Sequence, residues 1–575
     1  MKTTSSPTRW DLNHFYNGTS KEIIFNELES IKAKLTTLKT AKNITVVSGD
    51  ELHSLSELIK RIEKMESFYY CLTCEGQESS FLSTLSGSIS SLKMEARSII
   101  TYWTDVVKDM TTEEYNNWST LPEIGQFLLD LSKEESLIAG VTAKALKGYE
   151  DIYIQLQNNL SVFVKDATGE NELTFTKAEN MAMNHPDPLI RETVFIALND
   201  TLNKQSAIYA SIYNQIIELR LHLYKMTRQN DYLEESLTLN GLSLLTLDTM
   251  WNTIEDNLPE LTRFIKIRAN ENNKQQLTWH ELMSYSQKIS HNIPFSKAVI
   301  DVEKALESID PAMAVFINEA LDNGWIDTEP RDSKPRGGFC VPFAEDKESR
   351  ISLYYDGSVD SARILAHELG HAWHFQQITN VPTIAFFEDR FEMTIAETSS
   401  IFFETVFIDF IIRNEVDPVL KKSLIGWKIE RSLNYVLSIR GAFLFEKRFN
   451  EQRLKGPLSA GQIEELSLQA QEEVYGGSLS SYEPFVWMKY GQFYQTDTPF
   501  YNYPYTFGFL LSLGLLDISK ETQFVQQFQG FLKETGTLPV EQLVNKHFDI
   551  DLTTPSFWQQ SITRILNDIE QYSRL

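Results

Sequence analysis

The 575-residue sequence predicts a mostly α-helical protein with a small β-sheet beside one histidine-bearing helix. Three observations predict it. Apolar residues recur at three- and four-residue spacing from Ser20 onward, the mark of amphipathic helices. Strand-like patterning is confined to short stretches near 162–175 and 351–355. Apolar residues make up 42% of the chain, enough to bury a substantial core.

Taken in order, residues 20–38 carry Ile23, Ile24, Leu28, Ile31 and Leu35 behind Thr19 or Ser20 as a helix cap. Residues 50–70 repeat the pattern with Leu52, Leu55, Leu58, Ile59, Ile62 and Met65. A third long helix is expected over about 80–110, the three forming an antiparallel hairpin with an added arm. Shorter helices follow over 111–160. Residues 162–165 and 173–175 flank a turn and read as a hairpin. Asp187-Pro188 opens a helix to about Leu202; further helices are expected over 208–225 and 245–270. Residues 279–293 read as a polar connection with His280 and His291 at the surface. The composition changes at Arg331–Arg336, and Ser333 to Gly338 reads as a flexible basic loop. Ile351, Leu353 and Tyr355 then alternate with Ser352 and Tyr354 and end at Asp356-Gly357, a strand with a turn signal. A free edge on that strand could pair with an extended peptide, or the strand could simply pack.

Charge and cysteine content narrow the function classes. Lys+Arg total 53 against 79 Asp+Glu, a net charge of −26, which argues against a nucleic-acid partner. Three cysteines, Cys71, Cys74 and Cys340, suit a reducing, cytoplasmic setting, and the first two read as buried small hydrophobes. Residues 1–12 show no signal-peptide core, and no apolar run is long enough to span a membrane.

The chemistry-bearing stretch is His367-Glu368-Leu369-Gly370-His371. Residues four apart share one helix face, so two imidazoles can meet one zinc ion with Glu368 beside its open position. Asp360 or Ser361 is the expected cap. Gly370 costs about 1 kcal/mol in a helix interior, and close approach of another backbone or a metal is a reason to carry it. His374 lies roughly 10 Å along the axis from His367, too far to share a small ion with it. The third ligand must come from another element. Glu397, 26 residues after His371 on a second helix over 394–412, completes a His2Glu set. Glu392 is the second choice, with Glu388 and Asp389 as further donors. Glu404 lies on the same face as Glu397 and could orient a histidine.

At these residues the chain resembles the oligoendopeptidase F branch of the thimet oligopeptidase family of zinc metallopeptidases. The resemblance is carried by Trp10-Asp11-Leu12, the helix segment His367 to His374, Ala396-Glu397-Thr398-Ser399-Ser400, the tyrosine-rich segment Pro499 to Gly508, and Asp549-Ile550-Asp551-Leu552 with Pro555 and Phe557-Trp558. It implies a helical clamshell with a deep channel, one Zn2+ held by His367, His371 and Glu397, Glu368 as general base, and oligopeptide substrates. It also favours Tyr501 and Tyr505 as oxyanion donors. Tyr503, Gln492 and Tyr354 are assigned to substrate binding. The chain departs from the family pattern at Gly491-Gln492-Phe493-Tyr494, where many members carry a histidine in place of Gln492. The expected blocks are an N-terminal helical hairpin region over 1–110, a small helical subdomain over 111–185 and a catalytic metallopeptidase domain over 186–575. The competing readings are a non-catalytic peptide-binding relative and a carboxypeptidase-like exopeptidase.

Overall fold

A computed structural model describes residues 9–16, 20–40, 49–108, 111, 113, 140–166, 169–227, 229, 231–284, 292–331, 333–334, 337–378, 386 and 391–575. Helices dominate. The described strands are β1 (Ser161–Asp166), β2 (Gly169–Thr174), β3 (Ile326–Asp327), β4 (Gly338–Phe343) and β5 (Glu348–Leu353). The chain forms two compact units, each assembled from three separate stretches. The first takes Met1–Glu135, Ser290–Asn414 and Leu515–Asp549; the second takes Ser136–Ile289, Glu415–Gly514 and Ile550–Leu575. These units interleave along the chain, whereas the expected blocks are consecutive.

In the first unit, helices Lys21–Thr40 and Gly49–Thr73 bury the predicted stripes at Ile24, Leu28, Ile59 and Ile62, with Ile23 left exposed, and a third helix, Ser79–Lys108, buries Ile89 against them. Cys71 and Cys74 are fully buried with them. One face of the sheet closes this core through Phe343, which stacks on Phe15 at 3.8 Å. Strand order is β3-β5-β4, with β4 antiparallel and β3 parallel to β5. The strand expected to offer a free edge, β5, is therefore central and paired on both sides. Among the described residues no strand pairs with the outer edge of β4.

The motif helix, Val359–Ile378, begins two or three residues earlier than a cap at Asp360 or Ser361 would allow. The Ser358 hydroxyl caps it, accepting the Ser361 N–H at 3.0 Å. It packs along a second helix, Met393–Asn414, which is buried on every side from Thr394 to Ile408. Gly370 makes this approach possible: a Cβ there would stand 2.8 Å from the Ser399 carbonyl oxygen. The Ser399 hydroxyl donates to the Gly370 carbonyl at 2.9 Å.

The second unit holds the β1–β2 hairpin, paired from Ser161↔Thr174 to Asp166↔Gly169. Two helical expectations are corrected there. Residues 188–202 and 208–225 belong to one 39-residue helix, Pro188–Met226. Residues 245–270 form two helices, Leu244–Asp256 and Leu258–Glu271, because Pro259 starts a new first turn. Trp279–Ser284 is helical, and His280 is buried, stacked on Phe195 with Nε2 2.7 Å from the Ala182 carbonyl oxygen. His291, Glu388 and Asp389 lie outside the described residues.

Candidate metal centre

The motif helix and its partner bring His367, His371 and Glu397 together, with one ligand atom from each lying within 4.8 Å of the others. His367 Nε2 is 3.6 Å from Glu397 Oε2, and His371 Nε2 is 3.8 Å from Glu397 Oε1. Around a tetrahedral ion with bonds of about 2.0–2.1 Å, ligand atoms stand about 3.3 Å apart. The spacing thus fits a small cation after a slight contraction. Two imidazoles and one carboxylate are the donor types zinc takes, and three protein ligands leave a fourth position.

The surroundings hold these donors in place. Glu404 Oε2 accepts from His367 Nδ1 at 3.1 Å and from Arg363 Nη1 at 2.8 Å. That bond turns Nε2 of His367 toward Glu397. Glu397 Oε2 also accepts from the Ser400 hydroxyl at 3.1 Å. Burial pulls His367 toward neutrality, but Glu404, Glu397 and Glu368 more than offset it and raise its pKa. His371 goes the other way: burial, then the neighbouring His367 and His374, push it well below the usual imidazole range. Neutral His371 is ready to be a ligand. Glu368 is pushed up to about 7, by burial first and by Glu397 and Glu404, with His367 and Arg363 opposing. Glu397 and Glu404 share the pocket with one buried arginine, and Glu368 adds negative charge when ionised, an excess that a divalent cation would offset.

Gly338, the first residue of β4, lies over Glu368. A Cβ at 338 would come within 2.8 Å of Ile364 Cγ2 and 3.0 Å of Glu368 Cγ. The Tyr354 N–H donates to the Gly337 carbonyl at 2.9 Å. In an antiparallel ladder this makes Gly338↔Leu353 a non-hydrogen-bonded pair. The backbone N–H and C=O groups of Gly338 and Cys340 therefore face the open edge, beside Glu368. Pro342 has no N–H to add.

His374 is fully buried, with Nε2 on the Thr535 hydroxyl at 2.8 Å and no place in the ligand set. Glu392 is not among the three clustered donors; its carbonyl accepts the N–H groups of Ile395 and Ala396 at the start of the second helix. Tyr354 is half-buried just past β5. Gln492, Tyr501, Tyr503 and Tyr505 belong to the second unit. Tyr501 and Tyr505 are half-buried with their hydroxyls 2.9 Å apart. Tyr503, expected to touch substrate, is instead a core residue: it is 1% exposed and donates to the Ser236 carbonyl at 3.0 Å. Gln492 is half-buried on a short 3₁₀ turn, Gly491–Tyr494. The sequence reading missed Arg363 and Gly338. Arg363 stands four residues before His367, on the same helix face, and that spacing was its available signal.

The chain is a peptidase by family. Residues 181–563 match the model of Peptidase family M3, and the chain belongs to it. Within that family it is similar end to end to oligoendopeptidase F proteins. It is 21% identical to an oligoendopeptidase F homolog of Borreliella burgdorferi, over 99% of this chain and 98% of that protein. It is 21% identical to the chromosomal oligoendopeptidase F of Lactococcus lactis subsp. cremoris, over 87% of this chain and 86% of that protein. Its fold is that of the oligoendopeptidase-F of Enterococcus faecium, with a TM-score of 0.69 at 15% identity over 96% of this chain and 100% of that one. Among the described residues no helix is long and apolar enough to cross a membrane.

Proposed function

We propose that this protein is a zinc-dependent endopeptidase that hydrolyses short oligopeptides. The observation that carries the proposal is the convergence of His367, His371 and Glu397 next to a buried Glu368, in a member of Peptidase family M3. His367, His371 and Glu397 would hold one Zn2+ per chain. When bound, the ion supplies Lewis acidity toward a water and the scissile carbonyl. Glu368 takes the proton of the attacking water and passes it to the leaving amine. Burial favours proton uptake by this carboxylate, the direction its role requires. An extended peptide pairs with the open edge of β4 through the outward backbone groups of Gly338 and Cys340. Tyr501 and Tyr505 are assigned to the developing oxyanion on the resemblance of their segment, and Gln492 and Tyr354 to substrate binding. The substrate class follows the names of the relatives. All three cysteines are free thiols, which suits a cytoplasmic setting.

The test is a quenched fluorescent peptide assay with wild type, chelated wild type and Glu368→Gln. Glu368→Gln should keep its zinc and lose about 10²–10⁴-fold in kcat. Full activity in Glu368→Gln, or in the chelated enzyme, overturns the proposal. Blocking the peptide's C-terminus separates an endopeptidase, which still cuts, from a carboxypeptidase, which does not.

A further inference from the structure

The lysine of the predicted basic loop is not at the surface. The Lys334 side chain is 0% exposed, as is that of Asp327 on β3. Its ammonium has three hydrogens and three close acceptors: the Asp327 carbonyl at 2.7 Å, Asp327 Oδ1 at 3.0 Å and the Leu353 carbonyl at 2.9 Å. The Glu329 carbonyl lies further out at 3.4 Å. These acceptors sit where three strand ends meet. Asp327 ends β3, Leu353 ends β5, and Leu353 is the register partner of Gly338, which begins β4. The same loop is tied down on its other side, where the Ser333 hydroxyl donates to the Cys74 carbonyl at 2.8 Å.

We propose that Lys334 is a positioning residue: its buried ammonium fixes the start of β4, and through Gly338 both the Glu368 carboxylate and the open strand edge, for a peptide laid along that edge. This rests on the assignment of Glu368 and β4 made above. A buried ammonium is a costly way to close a loop, since taking the charge out of water must be repaid by well-placed partners. Here every hydrogen is spent on a backbone carbonyl or carboxylate at one corner of the sheet. That corner includes Leu353, the register partner of the glycine that lies over Glu368. Gly338 has no side chain to wedge it in place, so its position against Ile364 and Glu368 is set by its neighbours along the strand. Lys334 is four residues upstream of it and grips the strand it pairs with.

The variant is Lys334→Met, which keeps the length and removes the charge. Asp327 remains paired with Arg331 in it. If the yield of folded protein drops, Lys334→Met/Asp327→Asn removes both charges together and takes its place. Three readouts are needed: zinc affinity, backbone hydrogen exchange over β4, and kinetics on a quenched peptide and on the same peptide carrying single backbone N-methyl groups. We expect zinc affinity within twofold of wild type, faster exchange at Phe339 and Val341, and at least a tenfold lower kcat/KM, mostly in kcat. The N-methyl position that costs wild type most should cost the variant at least threefold less, because the edge it pairs with is no longer held. A kcat/KM within twofold of wild type, or unchanged exchange over β4, overturns the proposal while wild-type activity leaves the site assignment standing. A wild type that hydrolyses no peptide overturns the site assignment, and the positioning role falls with it.

Discussion

Gly370 on the motif helix meets Ser400 on the second helix backbone to backbone: a Cβ at 370 would stand 2.7 Å from the Ser400 Cα. Neither atom is the end of a flexible side chain, so one helix must move. Alanine is intrinsically better in a helix by about 1 kcal/mol, but the clash opposes and should exceed that gain. Gly370→Ala should destabilise the first unit by about 1–3 kcal/mol, as overpacked cores do. Because Glu397 is one turn from Ser400, zinc affinity should fall with it. Denaturant melts and a zinc titration check both; a variant as stable as wild type with unchanged affinity would mean the helices have slack.

Glu404 shares one oxygen between His367 and Arg363, at 3.1 and 2.8 Å. Partners of this kind fix the tautomer and ring orientation of a metal-binding histidine. Glu404→Gln keeps the size but loses the charge that draws both donors. We expect zinc affinity to drop about 10–100-fold, measured by competition with a chromophoric chelator. An unchanged affinity would assign Glu404 to the buried arginine alone.

Tyr501 and Tyr505 form a hydroxyl pair 2.9 Å apart. If one of them donates to the oxyanion, Tyr501→Phe or Tyr505→Phe should lower kcat by about 10²–10³-fold and leave KM within a few-fold, since the bond forms in the transition state. Two variants with near-normal kcat would remove the tyrosines from the mechanism.

Much of the site was legible because its signals are local. The i, i+4 histidines share a helix face whatever packs around them, and Glu397 is reached from its spacing on the following helix and from the resemblance of the segment Ala396 to Ser400. The rest depends on contacts distant in sequence. β3 is two residues long, too short for any alternation, so nothing in the sequence shows that β5 is central. Ser358, Asp360 and Ser361 are all competent caps, and spacing alone does not choose among them. Residues 203–206 look like a break because they are polar, yet they are one turn, exposed at Asn203 and Lys204 and half-buried at Gln205 and Ser206, of a helix whose buried stripe resumes from Leu202 at Tyr209. Lys334 sits in a sequence that reads as solvated, and only Asp327 and the two backbone carbonyls that receive it explain its burial.

Glu446 supplies the clearest pH dependence. It is buried in the second unit and its backbone partner is the N–H of Phe500, a non-glycine residue held at φ 55°, just before Tyr501. Burial raises its carboxyl to about 8 from an ordinary 4.5, with Arg220 and the Phe500 bond opposing. The sign follows from linkage. A carboxyl that binds its proton more tightly when folded contributes stability that is fully present below about 4.5 and is lost as pH rises through about 8. Glutamine keeps a carbonyl acceptor for Phe500 and never has to ionise. The melting temperature of Glu446→Gln minus that of wild type should therefore climb between pH 5 and 8.5, read by scanning calorimetry in matched buffers. Groups that titrate alike in both proteins cancel in the difference. A difference that stays flat across this range would mean that Arg220 keeps Glu446 ionised in the folded protein, and the carboxyl would then be a fixed charge rather than a titrating one.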